Sequence, residues 1–151
     1  MKIPSLIACL LLITITPAGA APVTPGGLSA IARAVGPCGD PCVVSGSNGG
    51  RIVDFEDAAD AIRTGGRQKL VIDGYCASSC MVLADRARPK ACITPRAVFA
   101  YHKTNRNRPI PLSSGLRKWI VSNGGFPENT GTPGIMPNHV AQRFWPQCQS
   151  V

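Results

Sequence analysis

Two adjacent serines, Ser78 and Ser79, stand where the sequence predicts the start of a helix. The apolar run at 70–72 predicts a strand that ends at a Gly74 turn, and 80–84 predicts the apolar face of the helix that follows. A serine hydroxyl at this point can cap the helix by accepting from a free N–H of the first turn. It can also be a nucleophile, because the same N–H groups and the helix dipole stabilise a developing anion. Both interpretations stay open from these residues alone.

A glycine-rich loop and a histidine are the other residues that could contribute to a site. Ser47-Asn48-Gly49-Gly50 follows a short β-branched strand predicted at 42–44. Glycines in this place allow positive φ and a close approach of the backbone to a ligand. His102 ends the predicted strand at 97–101. Taken singly, such a loop is usually a turn, and such a histidine is usually a satisfied core residue.

The first twenty residues have the pattern of a secretory signal peptide. Met1-Lys2 supplies one positive charge, the run at 3–15 is apolar, and Ala18-Gly19-Ala20 is a small-residue cleavage site. The apolar run is shorter than the roughly 20 residues of a membrane-spanning helix. We therefore expect cleavage after Ala20 and a periplasmic or secreted protein.

Six cysteines follow the predicted signal peptide, and an even number in an exported chain predicts disulfides. Six cysteines allow 15 pairings, and the sequence does not choose among them. Zinc is the rival interpretation, with two C-x3-C pairs plus His102 and His139, but the spacing of strong zinc motifs is missing. Neither pair is C-x-x-C, which argues against thioredoxin-like chemistry. We expect no metal and no cofactor. The disulfide candidates are Cys38, Cys42, Cys76, Cys80, Cys92 and Cys148.

The chain is basic, with a formal net charge of +8, and the imbalance is local. Nine Lys and Arg and no acid lie between Arg86 and Lys118. One interpretation is a solvated surface that favours solubility. The other is attraction to an anionic lipid or polymer. Nucleic acid is not expected as a partner, because an exported chain with two tyrosines and two tryptophans lacks aromatic interleaving.

The order of elements predicts an α/β domain at 42–151 after a breaker-rich N-terminal extension at 21–41. Helix 54–63 has its apolar face at positions 55, 58, 59 and 62, and Asp54 is its candidate N-cap. Alternating strands and helices imply parallel strand pairing. The stretch 124–134 is expected to be irregular. We expect helices at 54–63, 78–88, 113–122 and 138–145, and strands at 42–44, 68–73, 91–94 and 97–101.

Three of these segments, in this order and spacing, resemble the Clp-protease/crotonase superfamily: 43–50, 74–79 and 97–102. The Cys-Ala-Ser-Ser-Cys form behind a signal peptide resembles exported bacterial Clp-protease-like proteins of unknown function. The resemblance is strongest over 42–103. It implies a mainly parallel sheet with flanking helices, here truncated and stapled by disulfides.

The resemblance implies a role for each site residue. Ser78, four residues after Gly74, matches the nucleophile, and His102, 24 residues further on, matches the general base. The backbone N–H groups of Gly50 and Ser79 would bind the oxyanion, and the Ser79 hydroxyl would be incidental. Asn48 replaces the proline usual in the family's glycine loop. The supporting loop positions are Gly49 and Gly74.

The third catalytic member departs from the family pattern. Related peptidases place an aspartate far downstream, whereas the only acid after His102 in this chain is Glu128. Asn129 and Asn138 are amide alternatives, since an asparagine orients the histidine in some cysteine proteases. A Ser–Lys variant with Lys103 or Lys90 lacks motif support, and a Ser–His dyad and an inactive relative are the remaining options.

These observations predict an exported serine hydrolase of the peptidase type that acts on a peptide or protein substrate. The alternative is a catalytically inactive Clp-protease-like binding module, whose basic surface binds anionic components of the cell envelope. Because the long family segment that builds an oligomeric chamber is not found, we expect a monomer or a small oligomer.

Overall fold

A computed structural model of the chain describes residues 24–66, 68–129 and 131–149. It is a mixed α/β fold in which helices flank a five-stranded sheet. The predicted signal peptide at 1–20 lies outside the described residues. In chain order the elements are α1 (Pro25–Val35), β1 (Cys42–Ser47), α2 (Ile52–Thr64), β2 (Leu70–Ala77), α3 (Ser79–Arg86), β3 (Ala91–Ile93), β4 (Val98–Tyr101), α4 (Ser114–Ser122), β5 (Gly134–Met136) and α5 (Asn138–Ala141).

The sheet is mainly parallel, as predicted, with strand order β1-β2-β4-β5. Strand β2 is long enough to pair with two strands along one edge: its first half pairs with β3 and its second half with β4. Strand β5 pairs antiparallel with β4 and begins at Gly134, the last residue of the stretch expected to be irregular. That prediction missed β5 because three residues opened by a glycine show no alternating pattern.

Strand β2 does not end at Gly74, so the turn predicted there is wrong. The strand continues to Ala77. Its pairing with β1 shifts register between Val44 and Gly46, and a Cβ on Gly74 would lie 1.9 Å from the Ser45 carbonyl oxygen. Gly74 therefore serves the close approach of two strands at a bulge rather than a change of direction. The sharp turn comes four residues later.

Helix α2 begins at Ile52, two residues before the predicted start, so Asp54 is not its N-cap. Arg51 occupies the cap position without a side-chain hydrogen bond, and the Asp54 carboxylate lies 3.8 Å from the Arg33 guanidinium of α1. The predicted apolar face is correct, because its four residues are all buried in the core. They are Phe55, Ala58, Ala59 and Ile62.

Both ends of the described chain pack on the core. Helix α1 starts within the breaker-rich stretch, where Thr24 accepts a hydrogen bond from the Gly27 N–H, and its Ile31 is buried. Helix α5 ends after four residues, shorter than predicted. The expected core residue Trp145 lies beyond it and is buried, with its ring centroid 4.4 Å from that of Phe99.

The six cysteines form three disulfides, as predicted: Cys38–Cys42, Cys76–Cys80 and Cys92–Cys148. The two C-x3-C pairs that could have bound zinc are therefore disulfides and present no thiolate ligands. Disulfides are typical of oxidising compartments and are consistent with a location outside the cytosol. Within the described ranges, no helix is long and apolar enough to cross a membrane.

Replacing Gly74 with alanine is expected to lower the free energy of unfolding by about 1–3 kcal/mol, because the new methyl group overlaps the Ser45 carbonyl oxygen. Gly46→Ala on the partner strand is the matched control. A Cβ at Gly46 has no neighbour within 4 Å, so its effect should stay within about 0.5 kcal/mol. Urea denaturation of both variants measures the difference, and equal effects would contradict the close approach at Gly74.

Candidate active site

The candidate site lies at one edge of the sheet, where β1, β2 and β4 end side by side. Ser47 pairs with Cys76, and Ala77 pairs with Ala100. The glycine loop, Ser78 and His102 follow these three strand ends directly. Because the strands are parallel, the topology brings these three segments together at their carboxyl ends, the usual place for a ligand site in α/β sheets.

Ser78, which is half-buried, has a strained backbone at the turn between β2 and α3. Its φ and ψ are 55° and −118°, values typical of the first central residue of a type II′ turn, where glycine is preferred. Such a conformation costs a serine about 1–3 kcal/mol. The Ser78 side chain makes no capping hydrogen bond, so the capping interpretation is wrong.

Neighbouring backbone and a disulfide hold this strained turn. The Ser78 N–H donates to the Ala100 carbonyl of β4 at 2.8 Å. The Cys76–Cys80 disulfide ties the end of β2 to the first turn of α3, across Ser78. The glycine loop packs directly on the turn, since a Cβ on Gly49 would lie 2.8 Å from the Ala77 carbonyl oxygen. Gly49 also has φ +83°, which explains why glycine is needed there.

The Ser79 hydroxyl is not incidental, contrary to expectation. The residue is fully buried, and its Oγ accepts from the Gly50 N–H at 2.7 Å while donating to the Gly50 carbonyl at 3.0 Å. This double hydrogen bond locks the glycine loop onto α3. It also occupies the Gly50 N–H, which is not free for an oxyanion in this structure. The Ser79 N–H, at the first position of α3, has no helical carbonyl to bond.

The His102 ring is held by the backbone of the next residue. Its Nδ1 lies 2.6 Å from the Lys103 carbonyl oxygen, which can only accept, so Nδ1 carries a proton. In the neutral ring, Nε2 is then the unprotonated nitrogen, as a general base requires. Among the described residues no hydrogen bond joins Ser78 to His102, although both line one cavity. Catalytic hydrogen bonds are often long before substrate binds.

Lys103 is itself fixed on three sides, which positions its carbonyl. Its N–H donates to the Pro127 carbonyl at 2.8 Å, its ammonium forms an ion pair with Glu128, and it forms an antiparallel bridge with Pro109. Tyr101, on the other side of His102, is buried at the end of β4, and this burial raises the pKa of its phenol. The histidine therefore extends from a rigid segment.

The three candidates for a third catalytic member bond elsewhere. Glu128 pairs with Lys103, the Asn129 amide donates to the Asn105 side chain, and Asn138 donates to the Thr94 carbonyl at 2.7 Å. Within the described residues none of them is hydrogen-bonded to His102. The orienting group that sequence analysis missed is a main-chain carbonyl, which has no signature in residue types.

Ser78 and His102 share a cavity of about 680 Å³. Its walls come from the loop before α2, the first residues of α2 and the segment that follows His102. The lining residues are Gly50, Arg51, Ile52, Val53, Ser78, His102, Thr104, Asn105, Arg106, Arg108, Pro109 and Pro111. A second cavity of about 540 Å³, beside Cys92 and Cys148, has no serine, histidine or carboxylate among its described lining residues.

No protein-family model matches this chain, and no characterised protein matches it significantly.

Ser78→Gly is expected to be more stable than Ser78→Ala by about 1 kcal/mol. Alanine is strained at this positive φ, whereas glycine adopts it without strain. Glycine also raises the conformational entropy of the unfolded chain, but this offsets only part of the stabilisation. Urea denaturation of the two variants measures this difference. A more stable alanine variant would show that the turn is not strained.

The neutral His102 imidazole is expected to be the tautomer with the proton on Nδ1, because the Lys103 carbonyl accepts from it. Nitrogen-15 NMR of the imidazole at alkaline pH distinguishes the two tautomers. His139, which is exposed on α5, is the internal reference for an unconstrained histidine. A proton on Nε2 of His102 would remove it as a base toward Ser78.

Proposed function

We propose that the protein is a serine hydrolase of the peptidase type with a Clp-protease/crotonase-like fold, in which Ser78 is the nucleophile and His102 the general base. The observation that carries this proposal is the strained backbone of Ser78, whose side chain makes no capping hydrogen bond. Ser78 shares a cavity with His102, whose tautomer is fixed by the Lys103 carbonyl. Strain at a strand-to-helix turn is a recurrent device for exposing a nucleophilic serine. The predicted signal peptide and the three disulfides support action in the periplasm or outside the cell.

In the proposed reaction, Nε2 of His102 accepts the proton of the Ser78 hydroxyl as Oγ attacks the substrate carbonyl carbon. The carbonyl oxygen becomes an oxyanion. As the intermediate collapses, the carbon–nitrogen bond breaks and His102 passes its proton to the leaving amine. Water then attacks the acyl-enzyme with the same base, which releases the acid product and restores Ser78.

In this reaction the Ser79 N–H donates to the oxyanion, because it directly follows the nucleophile at the start of α3 and has no helical carbonyl to bond. Such a donor is worth about 3–4 kcal/mol of transition-state stabilisation. The Gly50 N–H becomes a second donor only when the Ser79 hydroxyl releases it. Substrate binding would therefore include a small shift of the glycine loop.

The alternative is an inactive module that binds anionic components through a broad basic surface. It has less support, because most of the basic residues of that surface are already paired within the protein. Five of the nine basic residues between Arg86 and Lys118 have partners within the protein. The pairs are Arg86 with Glu56, Arg88 with Asp85, Lys90 with the Gly65 and Gly66 carbonyls, Arg96 with Asp73, and Lys103 with Glu128. The Arg96 guanidinium and the Thr94 hydroxyl also lower the pKa of Asp73, as expected for a formed ion pair.

Labelling with a fluorophosphonate probe tests the proposed nucleophile. We expect one label on Ser78, located by peptide mass spectrometry, because the probe phosphonylates an activated serine with loss of fluoride. Ser78→Ala should abolish labelling, and His102→Gln should slow it by about 10²–10⁴-fold.

Ser122→Ala is the matched control, because this serine is exposed at the end of α4, away from the cavity. It should label like the parent protein. Protein that is folded by circular dichroism but unlabelled at Ser78 would overturn the hydrolase proposal.

A further inference from the structure

Three arginines line the cavity that holds Ser78 and His102: Arg51, Arg106 and Arg108. No Asp or Glu is among the described lining residues. We infer, on the basis of the proposed function, that the site selects peptide substrates that carry a carboxylate close to the scissile bond. Arginine suits this task because its planar guanidinium matches a carboxylate with two parallel hydrogen bonds.

All eight acidic residues of the chain lie in its described part, and their carboxylates have partners outside the cavity. Asp54, which lies 3.9 Å from the largely exposed Arg51, is the nearest competitor for a cavity arginine. The carboxylates are distributed as follows: Asp54 and Asp57 with Arg33, Glu56 and Asp60 with Arg86, Asp73 with Arg96, Asp85 with Arg88, Glu128 with Lys103, and Asp40 with the Lys69 N–H.

Arg106 and Arg108 form no ion pair with any described residue, and the turn that carries them is ordered. The Thr104 N–H donates to the Arg108 carbonyl at 2.6 Å, and the Asn107 N–H donates to the Thr104 carbonyl at 2.8 Å. The bridge between Lys103 and Pro109 closes this turn directly beside His102. The backbone hydrogen bonds of this turn therefore hold Arg106 and Arg108 at the cavity wall.

The carboxylate can come from an Asp or Glu side chain or from the C-terminus of the peptide, and one set of substrates separates these sources. The first pair is an internally quenched peptide with one Glu beside the scissile bond, N-acetylated and C-amidated, and its Gln counterpart. The second pair is the Gln peptide with a free or an amidated C-terminus. We expect a higher kcat/KM for the carboxylate member of at least one pair, and the pair affected identifies the source.

Arg106→Gln/Arg108→Gln is expected to lower this preference by roughly two- to thirtyfold, the range for two solvent-exposed ion pairs. The matched control is Arg117→Gln/Lys118→Gln on α4, which removes the same charge from exposed residues that do not line this cavity. The preference should also weaken between about 0.1 M and 1 M salt, because the Debye screening length falls from roughly 10 Å to 3 Å. Equal hydrolysis of both members of each pair would overturn the inference and leave the hydrolase proposal intact.

A binding measurement on Ser78→Ala protein tests the same inference without catalysis. The two peptide pairs, carrying a neutral fluorophore, are titrated by fluorescence anisotropy. Tighter binding of a carboxylate member, lost in the Arg106/Arg108 double variant and kept in the Arg117/Lys118 control, would support the selectivity even if Ser78 is never labelled. Equal binding of both members of each pair would contradict it.

Discussion

The backbone of Ser78 is the constraint on which the rest of the site depends. A serine adopts φ 55° and ψ −118° only when its surroundings supply more free energy than the strain of about 1–3 kcal/mol. Here the surroundings are the hydrogen bond to Ala100, the Cys76–Cys80 disulfide and the glycine loop that packs on the turn. The hydrogen bond joins the turn to β4, the disulfide joins β2 to α3 across it, and the glycine loop connects it to the end of β1. The same contacts that stabilise the turn therefore bring the loop and the histidine strand to it.

The parallel order of β1, β2 and β4 explains why three distant segments meet. Each strand ends at the same edge, and each is followed at once by a residue of the candidate site. The Ser79 hydroxyl completes this arrangement, because its two hydrogen bonds to Gly50 join the first loop to the helix that begins after Ser78. These two hydrogen bonds hold the start of α3, which preorganises the Ser79 N–H, whereas the Gly50 N–H stays occupied until the Ser79 hydroxyl releases it.

Sequence patterns predicted most elements and the residues that meet, but not their local geometry. The apolar face of α2 follows from periodicity, and the bonding of the six cysteines follows from their even number in a chain predicted to be exported. The neighbourhood of Ser78 and His102 was expected from the resemblance to the Clp-protease/crotonase superfamily. The turn was misplaced at Gly74 because glycine is the usual residue of a tight turn, whereas here it accommodates a close strand contact and the turn is made by Ser78. The Ser79 lock and the Lys103 carbonyl were missed, since both depend on three-dimensional contacts that residue types do not encode.

The Lys103 carbonyl separates two functions that a catalytic aspartate combines. An aspartate fixes the tautomer of the histidine and also stabilises the imidazolium that forms when the histidine takes a proton. A carbonyl that accepts from Nδ1 fixes the tautomer but contributes only a dipole against the new positive charge. The cavity arginines add further positive potential near the ring, which a bound carboxylate would neutralise. In the proposed hydrolase, an acidic substrate therefore supplies part of the negative charge that the chain's own site lacks, and substrate selectivity and catalysis depend on the same electrostatic balance.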